Sequence, residues 1–538
     1  MSNRDHRNNP DSGLGNHQAG SNYDYIIVGA GSAGCVIARR LIDETDARVL
    51  LLEAGGDNYS LPSMVNSVQW PQNIGSAHDY GYQYLPNPLF NNRPVHVPHG
   101  KILGGSGNIN GMIWARGNRY DYDGWASVGN NGWDYQSVLP LFKKIEDWED
   151  GETDFHGAGG PIGIERAKEH IMADTMIAAC QSYGLPFLDD VNGPSPEGVG
   201  RGVLNAKNGI RQGPTRYIEP IMGHENLTLL TGARVHKLNF NGTHCIGLDY
   251  VQQGKLYTVS AGTEVIICAG TFETPRILML SGIGDSRELR QLGIAIVEDL
   301  VGVGKNLQDH VILHSLCFEA KEPLRAPNGN LASSTAFLKS QSDLEAADLM
   351  ILATQVPIVL PGLEQQYGPI PANSFSLLPS LVNIQSRGYL KMKTAAYDGP
   401  LDIQGNLLSD RADLNAFIKL VEITMEIASQ PAFKNLTKSW IIPQKRLTDR
   451  ESVMHLIFNT ANSYFHPVGT CAMGVGKDAV VNDQLLVHGI TGLRVADASV
   501  MPKIPCGNTL APVMMIAEFA SQLITGQLIL KQIKSVGG

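Results

Sequence analysis

The sequence has no run of about 18 apolar residues, the length needed to cross a hydrocarbon core. Its longest candidates are interrupted, by Pro357 and Pro361 in LMILATQVPIVLP and by Glu518 near the C-terminus, so no transmembrane segment is expected. It also lacks any block of Lys and Arg: 42 basic side chains are scattered among 52 acidic ones, for a net charge of −10. Such a chain has no stripe to follow a phosphate backbone, which excludes nucleic acid as a partner and leaves the acidity as a solubility charge. Cysteine is sparse and unpatterned. Cys35, Cys180, Cys245, Cys268, Cys317, Cys471 and Cys506 make an odd count without a CxxC pair, and several lie in apolar runs such as VIICAG. That excludes a disulfide framework and a zinc site, so no metal is expected, and it predicts buried thiols in a reducing compartment. Residues 1–22 are polar, rich in Gly and Asn, and have no apolar core of a signal peptide. A disordered tail and a cytoplasmic location are expected.

The most informative stretch runs from Asp24 to Glu53, DYIIVGAGSAGCVIARRLIDETDARVLLLE. An apolar run leads into Gly29-Ala30-Gly31-Ser32-Ala33-Gly34, then a helical segment, then a second apolar run closed by Glu53 and Ala54. This predicts strand, tight turn, helix and strand, the first unit of a dinucleotide-binding fold. Gly29 permits the turn, Gly31 lets backbone approach a pyrophosphate, and Gly34 lets the helix pack on the strand. The helix N-terminus offers N–H groups to the phosphates. A carboxylate at Glu53 suits both hydroxyls of an adenosine ribose and repels a 2′-phosphate, which argues against NADP.

At 538 residues the chain is too long for one core. Residues 57–98 read as an irregular excursion rich in Pro, Asn and aromatics, including Trp70, Tyr80, Tyr82, Tyr84 and Phe90. The segment NLTLLTGARVHKLNFNGTHCIGLDYVQQGKLYTVSAGTEVIICAG predicts a run of antiparallel strands, the last in a central buried position. DLNAFIKLVEITMEIASQ has helical spacing that suits core packing, and residues 508–533 predict a long helix that starts at an Asn-Thr cap. The expected fold is α/β: a Rossmann-type cofactor domain with an inserted α+β substrate domain built on an antiparallel sheet. The boundaries are 23–159, 223–312 and 455–538 for the first, and 160–222 and 313–454 for the second.

Five further segments carry a resemblance. GKILGGSGNINGMIWARG (100–117), GTFETPRILMLSGIG (270–284), VGVGKNLQDH (301–310), FHPVGTCAMG and LRVADASVMPKIPCGNTLAP together resemble the glucose–methanol–choline (GMC) oxidoreductases, flavoproteins that bind FAD. The resemblance spans residues 24 to about 530 in the family's order. It implies that Gly105, Ser106, Asn110 and Gly111 run past the flavin, and that Val235 meets the adenine through its backbone. It also implies that Asp497 and Ala498 lie near the ribityl or pyrophosphate and that Asn508 and Thr509 complete the cofactor set. Family members with covalent FAD carry a histidine in the first signature; the matching residue is Ile109, so FAD is expected to be non-covalent, although His96 and His99 lie close upstream.

The same resemblance places the active-site histidine at His466, whose exit Pro467 stiffens, and its partner at Asn508, which by itself also reads as a helix N-cap. An alcohol donates hydride once its O–H proton is gone. His466 is thus the expected general base, with transfer to flavin N5, and Asn508 holds the substrate oxygen. Phe465, Tyr464 and Trp114 are the expected pocket side chains, and an apolar pocket favours a primary aryl or aliphatic alcohol over sugars. The expected partners are that alcohol and an electron acceptor, O2 or a quinone, and the chain is expected to be a monomer or homodimer. The alternative is a hydroxynitrile lyase that retains FAD without net redox.

Overall fold

The computed structural model describes residues 22–195 and 197–526. The expected tail, apart from Asn22, and the far end of the helix expected to reach 533 lie outside the described residues. Seven strands form the first sheet: β1 (Asn22–Val28), β2 (Val49–Leu52), β3 (Leu227–Leu230), β4 (Ala233–Asn241), β5 (His244–Gln252), β6 (Lys255–Ile267) and β7 (Leu493–Val495). Parallel pairing joins β3 to β2, β2 to β1, β1 to β6 and β6 to β7. Ile26, Ile27, Leu50, Leu51, Val265 and Ile266 are fully buried, as befits parallel strands covered on both faces.

The expected antiparallel run is correct for β4, β5 and β6, but not for its first strand. LTLL pairs parallel with β2, because β2 is short and apolar and has a free edge there. Besides β1, the 13 residues of β6 serve two neighbours along the other edge: its first half pairs with β5, and its last three residues pair with β7.

Helix α1 (Ser32–Glu44) buries Ala33, Val36, Ile37 and Leu41. A Cβ on Gly34 would lie 1.9 Å from the Gly29 carbonyl oxygen, so only glycine lets α1 sit this close to the β1 turn. Helix α2 (Gly270–Leu280) follows β6, and α3 (Leu510–Ile524) closes the chain against α1. Glu518, which interrupts the apolar run of α3, is fully buried. Its carboxylate accepts from Arg40 of α1 at 2.6 Å, Lys144 at 2.9 Å and the Tyr217 hydroxyl at 2.9 Å.

The second sheet is antiparallel, with eight strands. In order they are Thr437–Ile442, Cys317–Ala320, Ser374–Leu381, Leu349–Thr354, Ala332–Leu338 and Gly198–Arg201, while Val311–Leu313 joins Ser374–Leu381 to Ala461–Ser463. The helix Arg411–Ile427 packs on it and buries Phe417, Leu420 and Val421, as the spacing predicts. Val311, Ile312 and Ala461–Ser463, assigned by sequence to the cofactor part, therefore lie in the other sheet. The excursion at 57–98 is more ordered than expected, with a short helix at Pro62–Val65 and a hairpin of Tyr82–Tyr84 with Val95–Val97. All seven cysteines are buried and free. Among the described residues no helix is long and apolar enough to cross a membrane.

Candidate active site

One cavity runs from the glycine turn after β1 to the face of the second sheet. At its first end, α1 begins at Gly31, which offers no side-chain cap, so the first-turn N–H groups open on the cavity with Ser32 and Ala33. Gly31 and Gly105 face each other Cα to Cα: a Cβ on Gly105 would come within 2.9 Å of the Gly31 Cα, whereas one on Gly31 meets only the Gly105 Cα at 3.9 Å. This narrow cradle of bare backbone suits the pyrophosphate of a dinucleotide. The loop at 107–110 is pinned by buried Arg211, which donates to the Gly107 carbonyl at 3.1 Å and the Asn110 carbonyl at 2.7 Å.

Glu53 lines the cavity and accepts the N–H groups of Ala30 at 3.0 Å and Gly55 at 2.7 Å. Burial pushes its carboxyl up to about 7 against the lowering effect of those bonds.

At the other end stands His466. Residues 308–313 and 461–468 form an antiparallel ladder that is interrupted by a kink at Phe465 and His466. Phe465 has φ +65, a left-handed conformation that a side chain of this size adopts only when its surroundings impose it. The template is Asp309. Its Oδ1 accepts the His466 N–H at 2.9 Å; its Oδ2 accepts the Tyr84 hydroxyl at 2.6 Å and the Ser463 hydroxyl, while Ser463 Oγ accepts the Phe465 N–H at 2.8 Å. Burial raises the Asp309 carboxyl to about 6, opposed by these donors.

The His466 ring meets three side chains. Its Nε2 lies 3.1 Å from the Asn508 amide nitrogen, its Nδ1 lies 3.0 Å from His310 Nδ1, and the Tyr464 ring packs on it at 4.3 Å between centroids. Burial, then the neighbouring His310, holds the His466 imidazolium well below the ordinary histidine range. Burial likewise lowers His310 to about 3, so both rings are neutral at neutral pH. An amide nitrogen donates, so His466 Nε2 accepts and its proton sits on Nδ1, directed at His310. His310 Nε2 then carries a hydrogen without a bond of acceptable geometry, although the carbonyls of Val382 and Pro505 face the ring. Asn508 Oδ1 and the Tyr464 hydroxyl are also buried and unpartnered, side by side at the cavity.

A family model of GMC oxidoreductase matches residues 23–312, and a second matches residues 385–517. The chain belongs to the GMC oxidoreductases. The oxygen-dependent choline dehydrogenase of Chromohalobacter salexigens is 34% identical to this GMC chain over 536 residues, covering 94% of this chain and 95% of that one. The enzyme of the same name from Pectobacterium carotovorum is 36% identical, with 92% and 93% covered. Among solved structures, pyridoxine 4-oxidase from Mesorbium loti superposes with a TM-score of 0.88 at 30% identity, over 93% of this chain and 98% of that one. These names, dehydrogenase and oxidase, favour oxidation over the lyase alternative. This GMC oxidoreductase is accordingly an FAD-dependent enzyme acting on CH–OH donors, and the glycine cradle fits the cofactor's pyrophosphate.

Most residues singled out by sequence meet in this GMC cavity. Gly29, Gly31, Ser32, Ala33, Glu53, Ala54, Gly105, Ser106, Asn110, Gly111, Val235, Asp497, Ala498, Asn508, Thr509, Phe465, Tyr464 and His466 line it. Ala30 and Gly34 lie behind the wall, the first bonded to Glu53 and the second packed on Gly29. Asp497 has its carboxylate engaged by the Gly270 and Ser499 N–H groups and the Thr274 hydroxyl. Trp114 is a correction. It is fully buried away from the cavity, and its indole N–H is drawn to Glu146 at 2.7 Å, a carboxylate that also holds His156 at 2.8 Å. Asn508 is not the cap of α3 either: the N-cap is Thr509, and the Asn508 amide turns to His466. Sequence reasoning gave no role to Asp309, His310 or His314. The signals were that Asp309 and His310 end the VGVGKNLQDH segment and that a further His follows in an otherwise apolar stretch, DHVILHSL.

Proposed function

We propose that this GMC oxidoreductase oxidises a primary alcohol to its aldehyde, with His466 as the general base and Asn508 as the group that holds the substrate oxygen. What carries the reading is the 3.1 Å contact between His466 Nε2 and Asn508, made by two side chains from separate elements at a cavity wall. A substrate hydroxyl that displaces this hydrogen bond gives its proton to Nε2 and takes a hydrogen bond from the Asn508 amide. Asp309 acts on the chemistry indirectly, by fixing the kink that aims the ring. Bound FAD supplies the two-electron acceptor. Gly29, Gly31, Ser32, Ala33, Glu53, Gly105, Ser106 and Val235 would hold it, without a covalent bond, since Ile109 offers no nucleophile. The N-terminus of α3 opens on the same cavity and favours negative charge there. Molecular oxygen is the proposed terminal acceptor, supported by the words "oxygen-dependent" and "oxidase" in the relatives' names.

The pH dependence follows from the buried base. His466 must be neutral to take a proton, and its pKa lies below the ordinary range. Activity is therefore lost only in acid, when pH falls below the free-histidine value of about 6.5. The measurement is kcat/KM against pH with air as oxidant. The expected result is a flat profile through neutrality with hydrogen peroxide equimolar to aldehyde. A limb centred above neutrality would remove His466 as the base, and aldehyde without peroxide would remove oxygen as the acceptor.

A further inference from the structure

The wall of the second sheet opposite the glycine cradle has a chemistry of its own. Ile312, Leu352 and Leu378 form, with Tyr464, an apolar cluster separate from the main core, and Ile113 and Ile358 pack against it. All six line the cavity. The carboxylates that reach the cavity, Glu53, Glu273 and Asp497, all belong to the cofactor part. Each is engaged there: Glu53 by backbone N–H groups, Glu273 by Arg234 at 3.2 Å and Arg276 at 3.3 Å, and Asp497 by the donors at α2. Among the described residues, the second-sheet wall presents no charged side chain to the cavity.

Its polar side chains are mostly satisfied. Asn330 donates to the Gly111 carbonyl and accepts the Ala332 N–H at 3.1 Å, and Thr354 donates to the Val356 carbonyl at 2.8 Å. The Tyr464 hydroxyl sits beside Asn508 at the base. That leaves His314. It follows the strand Val311–Leu313, is half-buried, and sets its ring edge-on to Phe465 at 6.2 Å between centroids. Its imidazole has no hydrogen-bond partner among the described residues, although its backbone N–H and carbonyl are both paired. Burial lowers it to about 4, which keeps it a neutral donor and acceptor.

We propose that this enzyme selects an uncharged alcohol that carries a second neutral hydrogen-bonding group, and that His314 is the residue that receives that group. The proposal rests on the reading of His466 as an alcohol-oxidising base and narrows the substrate class. A quaternary ammonium alcohol would bring its cation to a mainly aliphatic wall without a counter-charge, close to a ring that becomes positive on taking the hydroxyl proton. Burying an unpaired charge is costly. An aliphatic or aryl alcohol loses nothing on that wall, and a hydroxyl, carbonyl or ring nitrogen on it would satisfy the free imidazole.

The test uses two isosteric pairs with the FAD-loaded enzyme. The first is choline and its carbon isostere, in which tert-butyl replaces trimethylammonium. The second is para-hydroxybenzyl alcohol and para-methylbenzyl alcohol. Dissociation constants come from perturbation of the flavin spectrum, and rates come from anaerobic flavin reduction. The neutral isostere is expected to exceed choline by about 100-fold or more in kcat/KM, since an unpaired cation is penalised more than a lost hydrogen bond. The hydroxyl-bearing benzyl alcohol is expected to exceed its methyl isostere by about tenfold, the worth of one neutral bond. In His314→Leu the ratio of the two benzyl alcohols should fall to about one, whatever the rate they then share, and His314→Gln should restore part of the preference. Choline equal to its isostere, or a hydroxyl preference untouched in His314→Leu, would overturn the proposal. Selective binding without reduction by any alcohol would instead overturn the oxidation reading and leave the selectivity standing.

Discussion

Replacing His466 by alanine leaves FAD bound and lowers the rate of alcohol-dependent flavin reduction by about 10²- to 10⁴-fold, the range set by loss of a positioned general base. The side chain removed lies at the end of the cavity away from the Gly31–Gly105 cradle, so the cofactor keeps its anchor. The rate lost should return in part as external pH rises, because hydroxide or a bulkier exogenous base can enter the space vacated by the ring. Stopped-flow reduction under anaerobic conditions, with the flavin spectrum as a check on occupancy, makes the measurement. Reduction at a rate close to wild type would assign the proton to another group, and His310, 3.0 Å away, would be the first to examine.

The second large effect separates two glycines that sequence alone treats as one motif. Gly31→Val should fold normally and lose FAD affinity by about 100-fold or more, because the new side chain occupies the close approach that bare backbone leaves open. The protein has room for the new Cβ: the backbone there is extended and the nearest atom to a Cβ is 3.9 Å away. Gly34→Ala adds a single methyl group 1.9 Å from the Gly29 carbonyl oxygen, so α1 must lift off the sheet. The expected cost is about 3 kcal/mol or more of stability, at the upper end for overpacking of a close-packed contact. Thermal unfolding of the apoprotein and a flavin titration distinguish the two. Equal destabilisation of the apoprotein by both substitutions would refute this division of labour.

The dinucleotide unit was legible because its physics is local. Glycine spacing, one helix period and two apolar runs lie within 30 consecutive residues, Asp24 to Glu53, and the structure places them as the spacing implies. His466 and Asn508 were legible only through resemblance, since 42 positions separate them and nothing local says that they meet. Trp114 misled for a related reason. It sits in a segment whose glycines reach the cavity, but which way a side chain points depends on distant partners, here Glu146. Asp309 was invisible because its work is done on backbone: a carboxylate that accepts the N–H of His466 leaves no periodic trace. The parallel pairing of LTLL was equally hidden, since a four-residue apolar strand fits either edge and tertiary packing chooses.

The file Asn508–His466–His310 is a blind alley for a proton. Beyond His310, the carbonyls of Val382 and Pro505 can accept a hydrogen bond but cannot carry a proton onward, and among the described residues no group is hydrogen-bonded to the buried ring nitrogen that faces them. On the proposed reading of His466 as the base, a proton taken up there returns through the cavity it entered by. That route is blocked while aldehyde sits between His466 and Asn508. On that reading, departure of the product precedes the return of His466 to its neutral form, an order of events that the chemistry of alcohol oxidation does not itself demand.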